Sequence, residues 1–214
     1  MTIAFAPAGS RGFDCNQPLS RSQAMMFAEA GYSFCIRYLP RTSSLLNGNL
    51  TIVEIQSILA ANLSLMAVQH CPLPNWKPTG LLGTQYGQYA GQYASEIGLP
   101  QGINLWLDLE EVAAESSDQD VIDYCNNWAV EVSGHGYIPG LYVGYHPGLS
   151  NDQLYFDLSI KHYWRAYNAD NEISTRGYQL VQHPQQKLDN IAFDPNTTQI
   201  DKMGDSVIWL SPGK

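Results

Sequence analysis

Eight short apolar runs recur along this chain, and their repetition limits what it can fold into more than any other feature. They are Gly12–Asp14, Phe34–Leu39, Leu65–His70, Ile103–Glu110, Gly140–Gly144, His162–Tyr167, Tyr178–His183 and Ile191–Asp194. Short apolar runs of this kind read as strands. Helical patterns separate the first five. Ser20 with Gln23 and Thr51 with Glu54 have capping-box spacing, the second being the better of the two. Residues 84–97 place Tyr86, Ala90, Tyr93 and Ile97 on one stripe, and the Gly-Gln-Tyr-Ala echo within them reads as a helix stripe rather than a repeat. Residues 118–132 gather Val121, Ile122, Cys125, Trp128, Ala129 and Val132 on one apolar face. Eight strands in sequence is the count of a closed parallel barrel. After the sixth run the gaps become too short for a crossover helix, so the C-terminal third departs from a regular barrel through an antiparallel strand or open loops. The expectation is an α/β fold, an irregular TIM-type β/α barrel with shortened C-terminal connections. No linker composition divides residues 1–214, so one domain is expected.

The fourth run carries the chemistry. Side chains alternate along a strand, so Ile103, Leu105, Leu107 and Leu109 face one way, toward covering helices. Asn104, Trp106, Asp108 and Glu110 face the other way, toward the barrel interior and its C-terminal mouth. Barrel enzymes place their chemistry at that mouth. Two residues along a strand advance roughly 6–7 Å, so the two carboxylates are close without contact. Such a pair can divide labour, one acid protonating a leaving oxygen while the other stays ionised. The same alternation turns Phe13 outward and Gly12 and Asp14 inward. It turns Ile191 and Phe193 outward, with Asp194 and Asn196 inward. On the fifth run Leu141 and Val143 face out and Gly140, Tyr142 and Gly144 face in, the glycines leaving room for a ligand or for close packing. Acids from the first, fourth and eighth runs then converge on one opening.

Composition narrows the partners. Eleven basic against twenty acidic residues give a net charge of −9, which argues against nucleic acid and against an anionic membrane surface. Charged residues are only 14% of the chain, so uncharged polar groups cover much of the surface and neutral sugars meet no electrostatic barrier. Cys15, Cys35, Cys71 and Cys125 lack Cys-x-x-Cys spacing and read as reduced structural thiols. His70, His146 and His183 lack the spacing of common metal sites, so neither a metal nor a cofactor is expected. Residues 1–13 hold Arg11 but no apolar stretch behind a basic segment, so the reading expects no signal peptide and synthesis in the cytoplasm.

Seven short motifs stand in one order: Gly12-Phe13-Asp14, Ile36-Arg37-Tyr38, Leu107-Asp108-Leu109-Glu110, Gly140-Leu141-Tyr142, Trp164-Arg165-Ala166-Tyr167, Leu180-Val181-Gln182-His183 and Phe193-Asp194-Pro195-Asn196. This order resembles the glycoside-hydrolase-like TIM-barrel domains often described as a domain of unknown function, themselves similar to the family 25 lysozymes. The resemblance implies that Glu110 is the general acid/base, that Asp108 assists the substrate's N-acetyl group, and that Asp14 and Asp194 complete an acidic floor. It implies retaining, substrate-assisted cleavage after N-acetylmuramic acid, without metal or cofactor. One departure is that the last motif usually reads Val-Asp-x-Asn, so Asp201 competes with Asp194 for that role, strand parity favouring Asp194.

Trp106, Tyr142, Trp164 and Tyr167 have aromatic faces that could stack on pyranose rings, or simply fill the core. Arg37 could orient Asp14, although pairing with a structural acid is the favoured reading, and Gln69, Gln182 and His183 lie at strand ends where polar groups hold hydroxyls. The leading expectation is a muramidase-like glycosidase acting on peptidoglycan or a related polysaccharide, reaching the periplasm or wall through phage lysis or a dedicated secretion system, with a phage, secretion or immunity partner. The alternative is a non-catalytic saccharide- or wall-binding barrel. A metal-dependent hydrolase is the weakest reading.

Overall fold

The computed structural model describes residues 1–44, 47–169 and 171–213. In chain order the elements are β1 (Thr2–Phe5), β2 (Arg11–Asp14), α1 (Arg21–Glu29), β3 (Phe34–Leu39), α2 (Ile52–Ala60), β4 (Ser64–Gln69), α3 (Gly80–Glu96), β5 (Asn104–Leu109), α4 (Asp118–Gly134), β6 (Ile138–Val143), α5 (Asn151–Phe156), β7 (His162–Arg165), β8 (Leu180–Gln182), β9 (Gln186–Leu188), β10 (Ile191–Thr198) and β11 (Ile208–Ser211). Strands β2 through β8 run parallel in that order, and β10 lies between β8 and β2, closing a barrel of eight.

All eight runs form barrel strands, but the last is reversed: β10 is antiparallel to both its neighbours. The reason lies in the connection. Asp189 and Asn190 hold φ of 44° and 66°, the left-handed pair of a two-residue hairpin turn. That turn folds β10 back along β9, with Leu188 opposite Ile191. So short a link can only reverse the chain, because a parallel return needs a crossover. The short strands β1 and β11, which carry no strong sequence signal, form an antiparallel ribbon attached to β4 through Leu210 and Leu65.

Alternation along the strands sorts the interior into two cores. Ile103, Leu105, Leu107 and Leu109 pack outward with Phe13, Leu141, Val143, Ile191, Phe193 and the helices. Phe34, Ile36, Met66, Val68, Trp106, Tyr142 and Trp164 fill the barrel. Its lower end is stopped by Trp209 from β11, whose ring lies 5.3 Å from that of Phe34.

The helices seal the outer wall. α3 begins at Gly80 under a Thr79 cap, four residues before the patterned stretch. A Cβ at Gly83 or Gly87 would stand 2.2 or 2.6 Å from the carbonyl oxygens of Tyr124 and Trp128 on α4. Gly91, the second glycine of the echo, would likewise put a Cβ 2.5 Å from the His135 ring, so the glycines of α3 form a close-approach face. Ser20 and Gln23 make both halves of their capping box. Thr51 caps α2, but Glu54 does not reach back to complete a box: its carboxylate turns inward to Arg37 and the Leu19 N–H. No helix among the described residues is long and apolar enough to cross a membrane.

Candidate active site

The end of β5 holds the carboxylate pair. Asp108 faces the barrel mouth and is only 6% exposed. Glu110 stands one residue past the strand, half-buried, with its carbonyl bonded by the Trp76 indole N–H at 2.9 Å. The chain then turns sharply at Glu111 (φ 51°), whose N–H bonds the Tyr145 carbonyl at 2.7 Å. The inward glycines on and just past β6 serve close packing. A Cβ on Gly140 would lie 2.4 Å from the Trp106 ring, and one on Gly144 would lie 2.4 Å from Glu110 Cβ and 2.6 Å from its Oε2.

Asp14 and Asp194 are cross-strand partners on β2 and β10. Asp14 is 1% exposed and is the hub of a polar floor. Its Oδ2 accepts from Asn196 Nδ2 at 2.7 Å and from Gln182 Nε2 at 3.0 Å, and its Oδ1 accepts from Tyr38 Oη at 3.2 Å. The network extends outward: Tyr142 Oη donates to Gln182 Oε1 at 2.9 Å, and Trp164 Nε1 donates to Asn196 Oδ1 at 2.8 Å. Reversal of β10 places its N-terminal residues at the mouth. It carries Asp201 past the other end of the strand, into an ion pair with Arg176 at 2.6 Å. Asp194, not Asp201, therefore lines the mouth cavity.

Every acid in this group is pushed toward its protonated form. Burial raises Asp14 from 3.8 to about 7, its bonds from Gln182 and Asn196 opposing and the charge of Asp194 adding to the rise. Burial and then Glu110 hold Asp108 well above the ordinary carboxylate range. Burial and then Glu111 raise Glu110, and burial raises Asp194. Two carboxylates this close do not ionise together easily, so each holds its proton to higher pH than an isolated acid would.

The mouth cavity is about 160 Å³ and is lined by Tyr38, Val68, Asp108, Glu110, Tyr142, Trp164, Tyr167, Asn168, Gln182 and Asp194. Across Glu110–Glu111 a larger cavity of about 620 Å³ opens between the loops that follow β5 and β6. The smaller one holds the convergent acids, and chemistry rather than volume makes it the candidate site.

Of the candidate ligands named from sequence, Tyr142, Trp164, Tyr167 and Gln182 reach this cavity, and four others do not. Trp106 is fully buried beneath it, against Trp164. Arg37 points to the outer side of the wall, where Nε meets Glu54 at 2.6 Å and the guanidinium also reaches the carbonyls of Cys15 and Gly48. Gln69 likewise points outward, donating to the Pro40 and Tyr86 carbonyls and accepting from the Trp128 indole at 2.8 Å. His183 is exposed and bonded to Thr197. Strand parity carried the signal for these, since Arg37 is in phase with Cys35 and Leu39, and Gln69 with Leu65 and Ala67.

Tyr38 was missed although parity places it with Ile36, facing in. Cys71 was missed because it lies beyond the end of β4, where alternation stops. Its N–H reaches Asp108 Oδ2 at 3.3 Å, and its Sγ lies 3.8 Å from Glu110 Oε1. Cys71, Asp108 and Glu110 each offer one ligand atom within 4.8 Å of the others, the one grouping among the described residues able to hold a metal ion. The histidine spacing that argued against a metal has no bearing on this trio.

A closed barrel with paired acids at the C-terminal end of β5 is consistent with a glycoside-hydrolase-like protein. The chain belongs to the Rv2525c-like, glycoside hydrolase-like domain family, whose profile matches residues 25–208. Its fold is similar to that of the Tat-secreted protein Rv2525c of Mycobacterium tuberculosis, solved with L-tartrate (TM-score 0.67, 14% identity, covering 90% of this chain and 96% of that one). It is also similar to a family 25 glycosyl hydrolase from Bacillus anthracis (TM-score 0.60, 11% identity, 89% of each chain). The catalytic domain of the endolysin ply40, from bacteriophage P40 of Listeria monocytogenes, has TM-score 0.59 and 17% identity over 90% of this chain and 94% of that one. No curated protein sequence matches the chain.

Proposed function

We propose that this protein is a muramidase-like glycosidase that cleaves the glycan strands of peptidoglycan with retention of configuration. The observation that carries the reading is the Asp108–Glu110 pair: a buried and a half-buried carboxylate at a barrel mouth, both held toward the protonated state. Burying acids without counter-charges opposes folding, and perturbed acids of this kind cluster at sites that do chemistry, which favours catalysis over saccharide binding alone. Resemblance to the endolysins and the family 25 hydrolase points to wall glycan as the substrate class.

Glu110, the more exposed of the two, gives its proton to the glycosidic oxygen as the C–O bond breaks. The acetamido oxygen of the same sugar closes on the anomeric carbon, and Asp108 accepts the acetamido N–H, a role open to its neutral carboxyl as well as to its carboxylate. Water then attacks the same carbon from the face the leaving group vacated, and Glu110 takes its proton. Asp14, Gln182 and Tyr142 hold the floor, while Tyr167, 55% exposed, offers a stacking face. The glycan lies across both cavities, with the scissile bond over the smaller.

Purified wall incubated with the protein, analysed for new reducing ends and by mass spectrometry of the released muropeptides, tests this directly. Wild type should release muropeptides and Glu110→Gln should lose at least about 1,000-fold in rate with unchanged thermal stability. An unaltered rate in that variant, or wall binding with no new reducing ends from wild type, would reject the assignment; the second outcome would favour a binding barrel.

A further inference from the structure

A thiol beside the acid pair is not needed for glycosidic chemistry. We propose that Cys71 Sγ and the carboxylates of Asp108 and Glu110 form a binding site for one soft divalent cation of the zinc class, which occupies the acid pair in competition with substrate. The cation-binding half stands on the geometry alone, and the competition rests on the glycosidase reading above.

Three observations converge. The three ligand atoms lie within 4.8 Å of one another. In a tetrahedral zinc site such atoms stand roughly 3.3–3.6 Å apart, so closing the trio on one ion needs a movement of only about 1 Å. Asp108 has an unsatisfied acceptor: on a residue 6% exposed, Oδ1 is buried with no hydrogen-bond partner, while the carboxylate meets the Cys71 N–H, through Oδ2 at 3.3 Å, and the Cys71 thiol. A buried acceptor with no donor is costly, and a cation would satisfy it. Counter-charge is also missing. Among the described residues the ion pairs engage Glu54, Glu115, Asp201 and Asp205, and none engages Asp14, Asp108, Glu110 or Asp194. Nη1 of the nearby Arg41 meets the carbonyls of His70 and Cys71 and pins the main chain that presents the thiol, while Arg41 makes no ion pair with the acids.

The donor set selects the ion. Calcium takes six to eight oxygens and magnesium an octahedron of hard ligands, whereas a thiolate with two carboxylates suits a soft four-coordinate ion whose last position stays open to the cavity. An ordinary cysteine thiol is protonated at neutral pH, so coordination of Cys71 as thiolate must release a proton. No electron transfer is involved: the thiol and carboxyl protons leave and three coordinate bonds form.

Calorimetric titration of the full chain with zinc sulfate, in two buffers of different ionisation enthalpy, should show one equivalent bound with net proton release. Cobalt(II) should give a near-ultraviolet sulfur-to-metal charge-transfer band. Cys71→Ser should abolish that band and weaken zinc at least about 100-fold, while Asp201→Asn, remote from the trio, should leave both unchanged. Zinc should slow wild-type wall hydrolysis at least tenfold and the Cys71→Ser variant less than twofold, each compared with its own metal-free rate. Absence of a saturable site, or equal affinity in folded Cys71→Ser, would overturn the proposal. Zinc binding by a protein that releases no reducing ends would leave the metal site standing and remove the glycosidase reading. Wall hydrolysis without zinc binding would do the reverse.

Discussion

Asp14 shows what a single buried acid does to the whole stability curve. Its folded pKa is raised to about 7 from 3.8, so the folded state binds a proton more tightly than the unfolded chain. That contribution is fully present below the unfolded value and is lost as pH rises through about 7. Stability then falls by roughly 1.4 kcal/mol for each pH unit inside that window. Asp14→Asn should keep the bonds from Gln182 and Asn196 and turn its own amide toward the Tyr38 oxygen. Denaturation across pH 4–8 (approximately) should show the wild type losing ground to this variant as pH rises, whereas parallel curves would mean that Asp14 stays ionised. Arg37 makes the opposite case, a buried charge already paired. Arg37→Met leaves Glu54 alone in the wall and should remove roughly 3–5 kcal/mol, with the Glu54→Met double variant recovering most of it.

At the scale of elements, glycines decide how closely pieces approach. On α3, Gly83→Ala would put a methyl 2.2 Å from the Tyr124 carbonyl. It should destabilise by about 1–3 kcal/mol, despite a gain in helix propensity of about 1 kcal/mol. Gly134→Ala at the end of α4 meets nothing within 4 Å and should be neutral or stabilising, so the pair, compared by thermal melts, separates packing from propensity. Just past β6, Gly144→Ala displaces Glu110 without touching the outer core. Wall hydrolysis should drop by about 100-fold while the melting temperature moves little, the signature of a misplaced acid. The tight Asp189–Asn190 turn acts in the same local manner, but its consequence is global, because it sets the direction of β10.

For the whole molecule, closure is the governing fact. The ring is stopped below by Trp209, which is 5% exposed and belongs to a strand outside the barrel. Trp209→Ala should open that end and remove roughly 3–5 kcal/mol, seen as a lower denaturation midpoint. Because the Asp108–Glu110 mouth lies at the opposite end, the fraction that remains folded should still bind wall. Closure also explains the convergence of acids: β2 and β10 meet, so Asp14 and Asp194 face one another although 180 residues separate them in the sequence.

The sequence by itself determined the eight strands, the division of their side chains into wall and lumen, and the placement of Asp14, Asp108, Glu110 and Asp194 on the lumen side. These are local properties, because a strand's alternation and a run's length are written in neighbouring residues. Parity also carried the outward direction of Arg37 and Gln69 and the inward one of Tyr38. Only the tertiary structure decided that β10 runs backward, which admits Asp194 to the mouth and sends Asp201 to Arg176. It alone brought Cys71 against Asp108 and Glu110. Both outcomes depend on how distant segments close around one another, and no repeating pattern along the chain records the end of one strand lying beside the end of the next.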